Sequence, residues 1–202
     1  MKLLKILHEN SKIYRQLLKP SQDDWTQPRK KIYEYLMAFK TLSIKNCWPI
    51  LLVGFEKYGA NSKEFEKLVE YCLKFFVRAR TICGAHPTEL GMLSSDISKK
   101  IRSGEKVDKI KKILKDSTLY PKKAKFLIDF NQKGVGSRTA TYILSEINQQ
   151  VYHKGKSDLG PLLATDKSAE HIMPKTLSDE WDNYIAKHLR VGKNVDPETE
   201  VE

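Results

Sequence analysis

The chain has 202 residues, of which 40% are hydrophobic and 30% charged, and its formal net charge is +11. This composition predicts a soluble globular domain with room for one further small unit. The longest apolar run, residues 47–55, is too short to cross a bilayer, and the first residues lack the apolar region and cleavage site of a signal peptide.

Apolar residues recur at helical spacing through most of the first 154 residues. Pro20 ends the first helix, the second follows Pro28, and Asn61 is predicted to cap the fourth with Glu64 as its capping-box partner. That fourth helix ends at Gly84. The pattern predicts helices at about 1–18, after residue 28, 47–58, 61–84, 88–102, 106–116, 122–132 and 137–152. The last carries Ala140, Ile143, Leu144, Ile147 and Val151 on one face.

The pattern changes at Gly155, where a loop is followed by two short strand candidates, 162–165 and 169–172. A final helix, capped by Thr176 or Ser178, carries Trp181 on its apolar face, and the end of the chain is polar and acidic. We therefore predict a mainly α fold of about eight helices over residues 1–154, with a small β-containing appendage over residues 155–202.

The three cysteines, Cys47, Cys72 and Cys83, form no metal-binding spacing. An odd number of thiols, two of them in an apolar helical pattern, favours reduced and buried side chains in a cytoplasmic protein.

Positive charge is concentrated in residues 99–125, which contain only three acids. Such a surface favours a polyanionic partner such as nucleic acid, and a solvated lysine-rich helix face is an equally good interpretation. The candidate nucleic-acid-binding side chains are Lys99, Lys100, Arg102, Lys109, Lys111, Lys112, Lys115, Lys122, Lys123 and Lys125, and Lys106 belongs to the same run.

In the sequence Ala169-Glu170-His171-Ile172-Met173-Pro174, a carboxylate precedes the histidine. Two apolar residues and a proline follow it. Proline cannot donate a ladder hydrogen bond, so His171 is predicted to lie at a strand end. Histidine is suited to proton transfer near neutral pH and Glu170 could bind a metal ion, although neighbouring strand residues point to opposite faces. An ordinary histidine and an exposed carboxylate are the alternatives.

Two weaker patterns lie upstream. Gly134-Val135-Gly136-Ser137 lacks the spacing of a phosphate-binding loop, and a C-cap glycine followed by a Ser137 N-cap is the preferred interpretation. Arg78 and Arg80 could bind phosphate, and an ion pair with a neighbouring acid is the preferred prediction.

Three segments resemble the GmrSD-type family of modification-dependent (type IV) restriction endonucleases. Residues 170–181 resemble the start of the family's C-terminal His-Me finger (HNH-like) nuclease domain. Residues 76–83 and 138–147 resemble helices of its middle region, and the diffuse match extends to about residue 189.

The resemblance implies a metal-dependent DNA endonuclease of the restriction and phage-defence type, with His171 as general base. Glu170 would be at most a tentative ligand of a divalent metal, Mg or Mn, that stabilises charge developing on the phosphate. The family implies a partial ββα appendage at residues 155–202 and a partner ParB-like nucleotide-binding domain or subunit.

The family's Gly-Asn-Leu strand and its following asparagine-bearing helix do not occur between Trp181 and Glu202. We therefore predict that this chain alone does not cleave DNA. Magnesium- or manganese-dependent nicking that disappears in His171→Ala would contradict this prediction. The alternatives are a non-catalytic helical module that binds nucleic acid or protein, and a degenerate member that acts as an inhibitor or assembly subunit.

Overall fold

The structure, a computed structural model, describes residues 2–25, 29–153, 178–181 and 183. Over these residues the fold is mainly α, as predicted, and contains no strand. The helices are α1 (Lys2–Leu18), α2 (Lys30–Thr41), α3 (Trp48–Tyr58), α4 (Lys63–Phe76), a π-helix (Val77–Ile82), α5 (Pro87–Arg102), α6 (Val107–Asp116), α7 (Lys123–Gln132) and α8 (Ser137–His153).

The chain divides into two compact units, Met1–Lys167 and Ser168–Glu202. In the second unit, residues 179–181 and 183 are helical, and Ser178 directly precedes residue 179. The two strand candidates, and with them the predicted ββα appendage, lie outside the described residues. In the part of the chain that is described, no helix has the length and apolar character needed to cross a membrane.

One hydrophobic core joins helices α1 to α6, and Tyr142 of α8 packs against it. The apolar helix α3 packs against α1, α4 and α5, and α4 packs against α2, α3 and α6. Gly54 lies where α3 approaches α4 most closely, because a Cβ at this position would overlap the side chain of Leu68. Helices α3 and α4 therefore form the centre around which the others are arranged.

The start of α4 differs from the prediction by one residue. Ser62, and not Asn61, is the N-cap, and its Oγ accepts a hydrogen bond of 2.9 Å from the backbone N–H of Phe65. Glu64 is then the second helical residue, so no capping box forms. The carbonyl of Asn61 instead accepts a hydrogen bond of 2.7 Å from Nε of Arg29.

The apolar face of α8 is only partly buried, since Ala140, Ile143 and Val151 are half-buried. Leu144 and Ile147 are 56% and 46% exposed, whereas Thr141 and Ser145 are buried. Their hydroxyls donate to carbonyls one turn earlier in the same helix, at 2.8 Å each, so burying these polar groups leaves no unmet hydrogen bond. Helix α8 packs against α2, and local hydrogen bonding allows its polar face to turn inward.

The connection between α7 and α8 also differs from the prediction. Helix α7 ends with Lys133 at its C-cap, and Gly134 does not adopt a left-handed conformation. The carbonyl of Gly136 accepts a hydrogen bond from the N–H of Ala140, which makes Ser137 the first helical residue and not the N-cap. Open space surrounds both glycines, so neither is required by a close backbone approach.

Cys47 and Cys72 are buried, as predicted, and Cys83 is partly exposed; all three are free thiols. Burial raises the pKa of the Cys47 and Cys72 thiols well above the usual range. Desolvation raises the pKa of Cys83 to about 11, and a hydrogen bond with Asp129 adds to this shift. All three are therefore weak nucleophiles at neutral pH.

Ser43, two residues after the end of α2, is the only non-glycine residue in the described chain with a positive φ, at 54°. The N–H of Ile44 donates to the carbonyl of Phe39 at 3.0 Å, and the N–H of Ser43 donates to that of Lys40 at 3.1 Å. This pattern is a Schellman motif, in which the left-handed position is usually glycine. The same motif ends α5, where Gly104 occupies the left-handed position with φ of 96°.

Ser43→Gly is expected to stabilise the fold by about 0.5–1 kcal/mol, because glycine adopts the left-handed conformation without a Cβ penalty. The measurement is the urea dependence of the helical circular dichroism signal. Ser103→Gly is the matched control, since Ser103 has φ of −74° and should gain nothing from glycine. A lower midpoint for Ser43→Gly would contradict the strain argument.

Candidate nucleic-acid interface

The basic residues predicted at 99–125 extend from the end of α5, through α6, to the beginning of α7. Helix α6 shows why these side chains reach solvent. Its apolar residues Val107, Ile110 and Leu114 are buried against the core, so the lysines between them lie on the outer side of the helix. Every basic side chain of the run is exposed except Lys111, which is half-buried. We call these exposed side chains the basic surface.

The turn between α5 and α6 joins the two helices that carry most of the basic surface. The hydroxyl of Tyr58, at the end of α3, donates a hydrogen bond of 2.6 Å to the carbonyl of Glu105. The left-handed Gly104 allows the chain to reverse at this point. The ends of α5 and α6 that carry the lysines are thus fixed to the central helix α3.

Three lysines of the basic surface form ion pairs with acids. Nζ of Lys99 lies 3.2 Å from Asp96, that of Lys109 lies 3.0 Å from Glu105, and that of Lys125 lies 2.6 Å from Asp129. The last pair raises the pKa of Lys125 and lowers that of Asp129. The lysines of these pairs are well exposed, so the pairs contribute little to stability and can be exchanged for a phosphate.

Lys111 has a different environment, because its Nζ lies 4.6 Å above the ring of Tyr71 in a cation–π contact. Among the described residues, seven exposed side chains of the run form no ion pair: Lys100, Arg102, Lys106, Lys112, Lys115, Lys122 and Lys123. These are the side chains freest to contact a polyanion.

An open cleft of about 920 Å³ lies beside the basic surface, between α1, the α2–α3 connection, α3 and α5. Its charged lining residues are all cations: Lys40, Lys45, Lys99 and Arg102. No carboxylate from the described part of the chain lines it. Lys99 and Arg102 belong both to the basic surface and to this basic cleft, and the two features are therefore continuous.

Sequence reasoning missed the contribution of Lys40 and Lys45. Lys40 lies in the last turn of α2 and Lys45 in the connection to α3, more than fifty residues from Lys99 and Arg102 in the sequence. No local pattern links these positions. Only the packing of α3 against both α1 and α5 places the α2–α3 connection beside the end of α5.

Three hydrogen bonds hold the wall of the basic cleft. Oγ of Ser94 donates to the carbonyl of Asn46 at 2.5 Å, and Nδ2 of Asn46 donates to the carbonyl of Pro87 at 3.0 Å. Oγ of Ser98 donates to the carbonyl of Ser94 at 2.7 Å. The α2–α3 connection, which lines the cleft, is thereby tied to α5.

The arginines of the π-helix do not form the predicted ion pairs. The guanidinium carbon of Arg78 lies 3.9 Å from the ring centre of Phe126 and 5.2 Å from that of Tyr120. Nη1 of Arg80 donates to the carbonyl of Ala85 at 3.0 Å. Neither arginine forms an ion pair within the described chain. Arg78 is placed to attach α7 to the core through aromatic contacts.

His171 and Glu170 lie outside the described residues, so their predicted roles as general base and tentative metal ligand stay predictions. Among the residues that are described, no group of three or more histidine, cysteine or acidic side chains could hold a metal ion. The candidate site that the structure does describe is the basic surface with its adjoining basic cleft.

Comparison with known proteins gave no match: no family model, no curated protein and no solved structure is similar to this chain.

Proposed function

We propose that the helical domain binds nucleic acid through the basic surface. The observation that carries this proposal is that most cations at residues 99–125 are exposed and without an acidic partner in the described structure. They continue into a cleft whose charged lining residues, among those described, are all cations. Each lysine or arginine that contacts a phosphate releases condensed counterions, which drives binding without regard to sequence.

A lysine-rich helix face that only contacts water remains the alternative to a binding surface. The lining of the cleft favours binding, because four cations and no carboxylate of the described residues line it. Like charges brought together repel one another, so the arrangement has an electrostatic cost that a polyanion would remove.

Within this proposal, the chain is the nucleic-acid-binding part of a GmrSD-type DNA endonuclease. The support is the resemblance of residues 76–83, 138–147 and 170–181 to that family. His171 would act as general base, Glu170 as a metal ligand for Mg or Mn, and a ParB-like domain would be the partner. Three free thiols, two of them buried, suit a reducing compartment, and we propose a cytoplasmic location.

The first experiment is a titration of the purified chain against a fluorescent 20-base-pair DNA duplex at several potassium chloride concentrations. About four to six phosphate contacts would give a log–log slope of roughly −4 to −5. A slope near zero, or no binding at the lowest salt concentration, would contradict the proposal.

A second candidate function is protein binding, and one observation favours it. Leu127 and Ile128 on α7 and Leu144 and Ile147 on α8 are all exposed, although they are large and apolar. Exposed apolar patches often mark protein interfaces. Salt concentration separates the two functions. Affinity for the duplex would fall as the salt concentration rises, whereas the affinity of an apolar interface for a protein partner would not.

A further inference from the structure

We infer that the basic cleft binds a nucleotide, either free or as an unpaired nucleotide within a strand. This inference rests on the proposed function and names the part of the nucleic acid that the cleft would take. A duplex can contact the exposed basic surface, but a concave site needs a smaller group that can enter it. An unpaired nucleotide has both the charge and the aromatic ring that the lining of the cleft would recognise.

The size of the cleft agrees with this class of ligand. Its volume of about 920 Å³ lies near the upper end of the range found for small-molecule sites. An isolated phosphate would leave most of this space filled with water.

The cations of the cleft come from separate elements. Lys40 and Lys45 belong to the end of α2 and the connection after it, while Lys99 and Arg102 belong to the last turn of α5. Of these four, only Lys99 pairs with an acid of the described chain, the exposed Asp96. Arg102 adds a planar guanidinium, which can donate two parallel hydrogen bonds to one phosphate.

Apart from these cations, three serines and a glycine, the lining is apolar or aromatic. Tyr14 of α1 is 43% exposed and offers a ring on which a base could stack. Trp48 also lines the cleft, and its contact with Phe39, at 5.8 Å between ring centres, holds it in place. Leu52 and Pro49 extend this apolar wall. The cations of the cleft match the phosphate of a nucleotide, and the aromatic and apolar side chains match its base.

The test uses the intrinsic fluorescence of the whole chain, since Trp48 lines the cleft, together with isothermal titration calorimetry. The probes are dATP, a twelve-residue oligothymidylate, inorganic phosphate and the 20-base-pair duplex. The charge variant is Lys45→Glu/Arg102→Glu, and Lys57→Glu/Lys63→Glu is its control, because these two exposed lysines do not line the cleft.

A second variant, Ser95→Phe, fills the cleft without changing its charge, because Ser95 is an exposed residue of the lining. Circular dichroism confirms that each variant is folded. Both cleft variants are expected to weaken binding of dATP or oligothymidylate at least tenfold, while the control changes it less than threefold. Binding of dATP would identify a free nucleotide as a ligand, and binding of oligothymidylate alone would identify an unpaired nucleotide in a strand.

Two outcomes would overturn the inference. One is that inorganic phosphate binds as tightly as dATP and oligothymidylate, since the apolar wall would then contribute nothing. The other is that neither nucleotide probe responds to the cleft variants. If the duplex still binds with a steep salt dependence in that case, the proposed function stands and only the inference about the cleft fails.

Discussion

Replacing Lys100, Arg102, Lys112 and Lys115 together by glutamate is expected to weaken binding to the 20-base-pair duplex roughly a hundredfold at 100 mM salt. These four side chains are exposed and form no ion pair within the described chain. Each phosphate contact that is lost should also make the salt dependence of log K shallower by about one unit. The slope therefore distinguishes lost contacts from a general change of net charge.

The control for this variant carries the same change of charge elsewhere. Lys19, Lys30, Lys31 and Lys63 are exposed and lie outside both the basic surface and the basic cleft. Lys30 and Lys31 begin α2 and Lys63 begins α4, where glutamate is favoured by the helix dipole. If this control weakens binding as much as the test variant, binding depends on total charge and not on the basic surface.

Trp25→Ala is expected to lower the free energy of unfolding by about 3–5 kcal/mol, since it removes the largest side chain of an aromatic cluster. Trp25 is 2% exposed and stacks on Phe65 with 6.1 Å between ring centres. It also meets the ring of Phe55 edge-on, at 6.1 Å. A domain of this kind is typically stable by only about 5–15 kcal/mol, so the variant should show a much lower unfolding midpoint in urea.

A second substitution at the same position tests the cause of this loss. Nε1 of Trp25 is buried and has no hydrogen-bond partner in the structure. Trp25→Phe removes that unsatisfied donor and keeps an aromatic ring, so we expect a loss of less than about 1.5 kcal/mol. Met92→Ala, at an exposed position, should change stability by less than about 0.5 kcal/mol. Equal losses for Trp25→Phe and Trp25→Ala would contradict this explanation.

The predictable part of the candidate site was the list of exposed cations between residues 99 and 125. Lysine is rarely buried, so a lysine-rich segment with few acids is recognisable without a fold. The partners of these side chains were not predictable. Lys111 contacts Tyr71, which is forty residues earlier in the sequence, and Lys40 and Lys45 join the cleft from another element.

The helices illustrate the same distinction. The ends of α3, α5, α6 and α7 lie within about one residue of the predicted positions, because prolines, glycines and apolar spacing act locally. Trp25 lies in a polar connection that no helical pattern singles out, yet it fills the core between α3 and α4. In α8 the apolar spacing does not show that Thr141 and Ser145 are buried.

The sequence by itself determined that this protein is mainly α-helical, where most helices begin and end, and that one long segment is strongly basic. Those properties depend on neighbouring residues and on the period of the helix. The tertiary structure decided which faces are buried and which distant cations share a cleft. Both depend on how α3 and α4 pack against the surrounding helices, and such contacts join residues whose separation in the sequence carries no periodic signal.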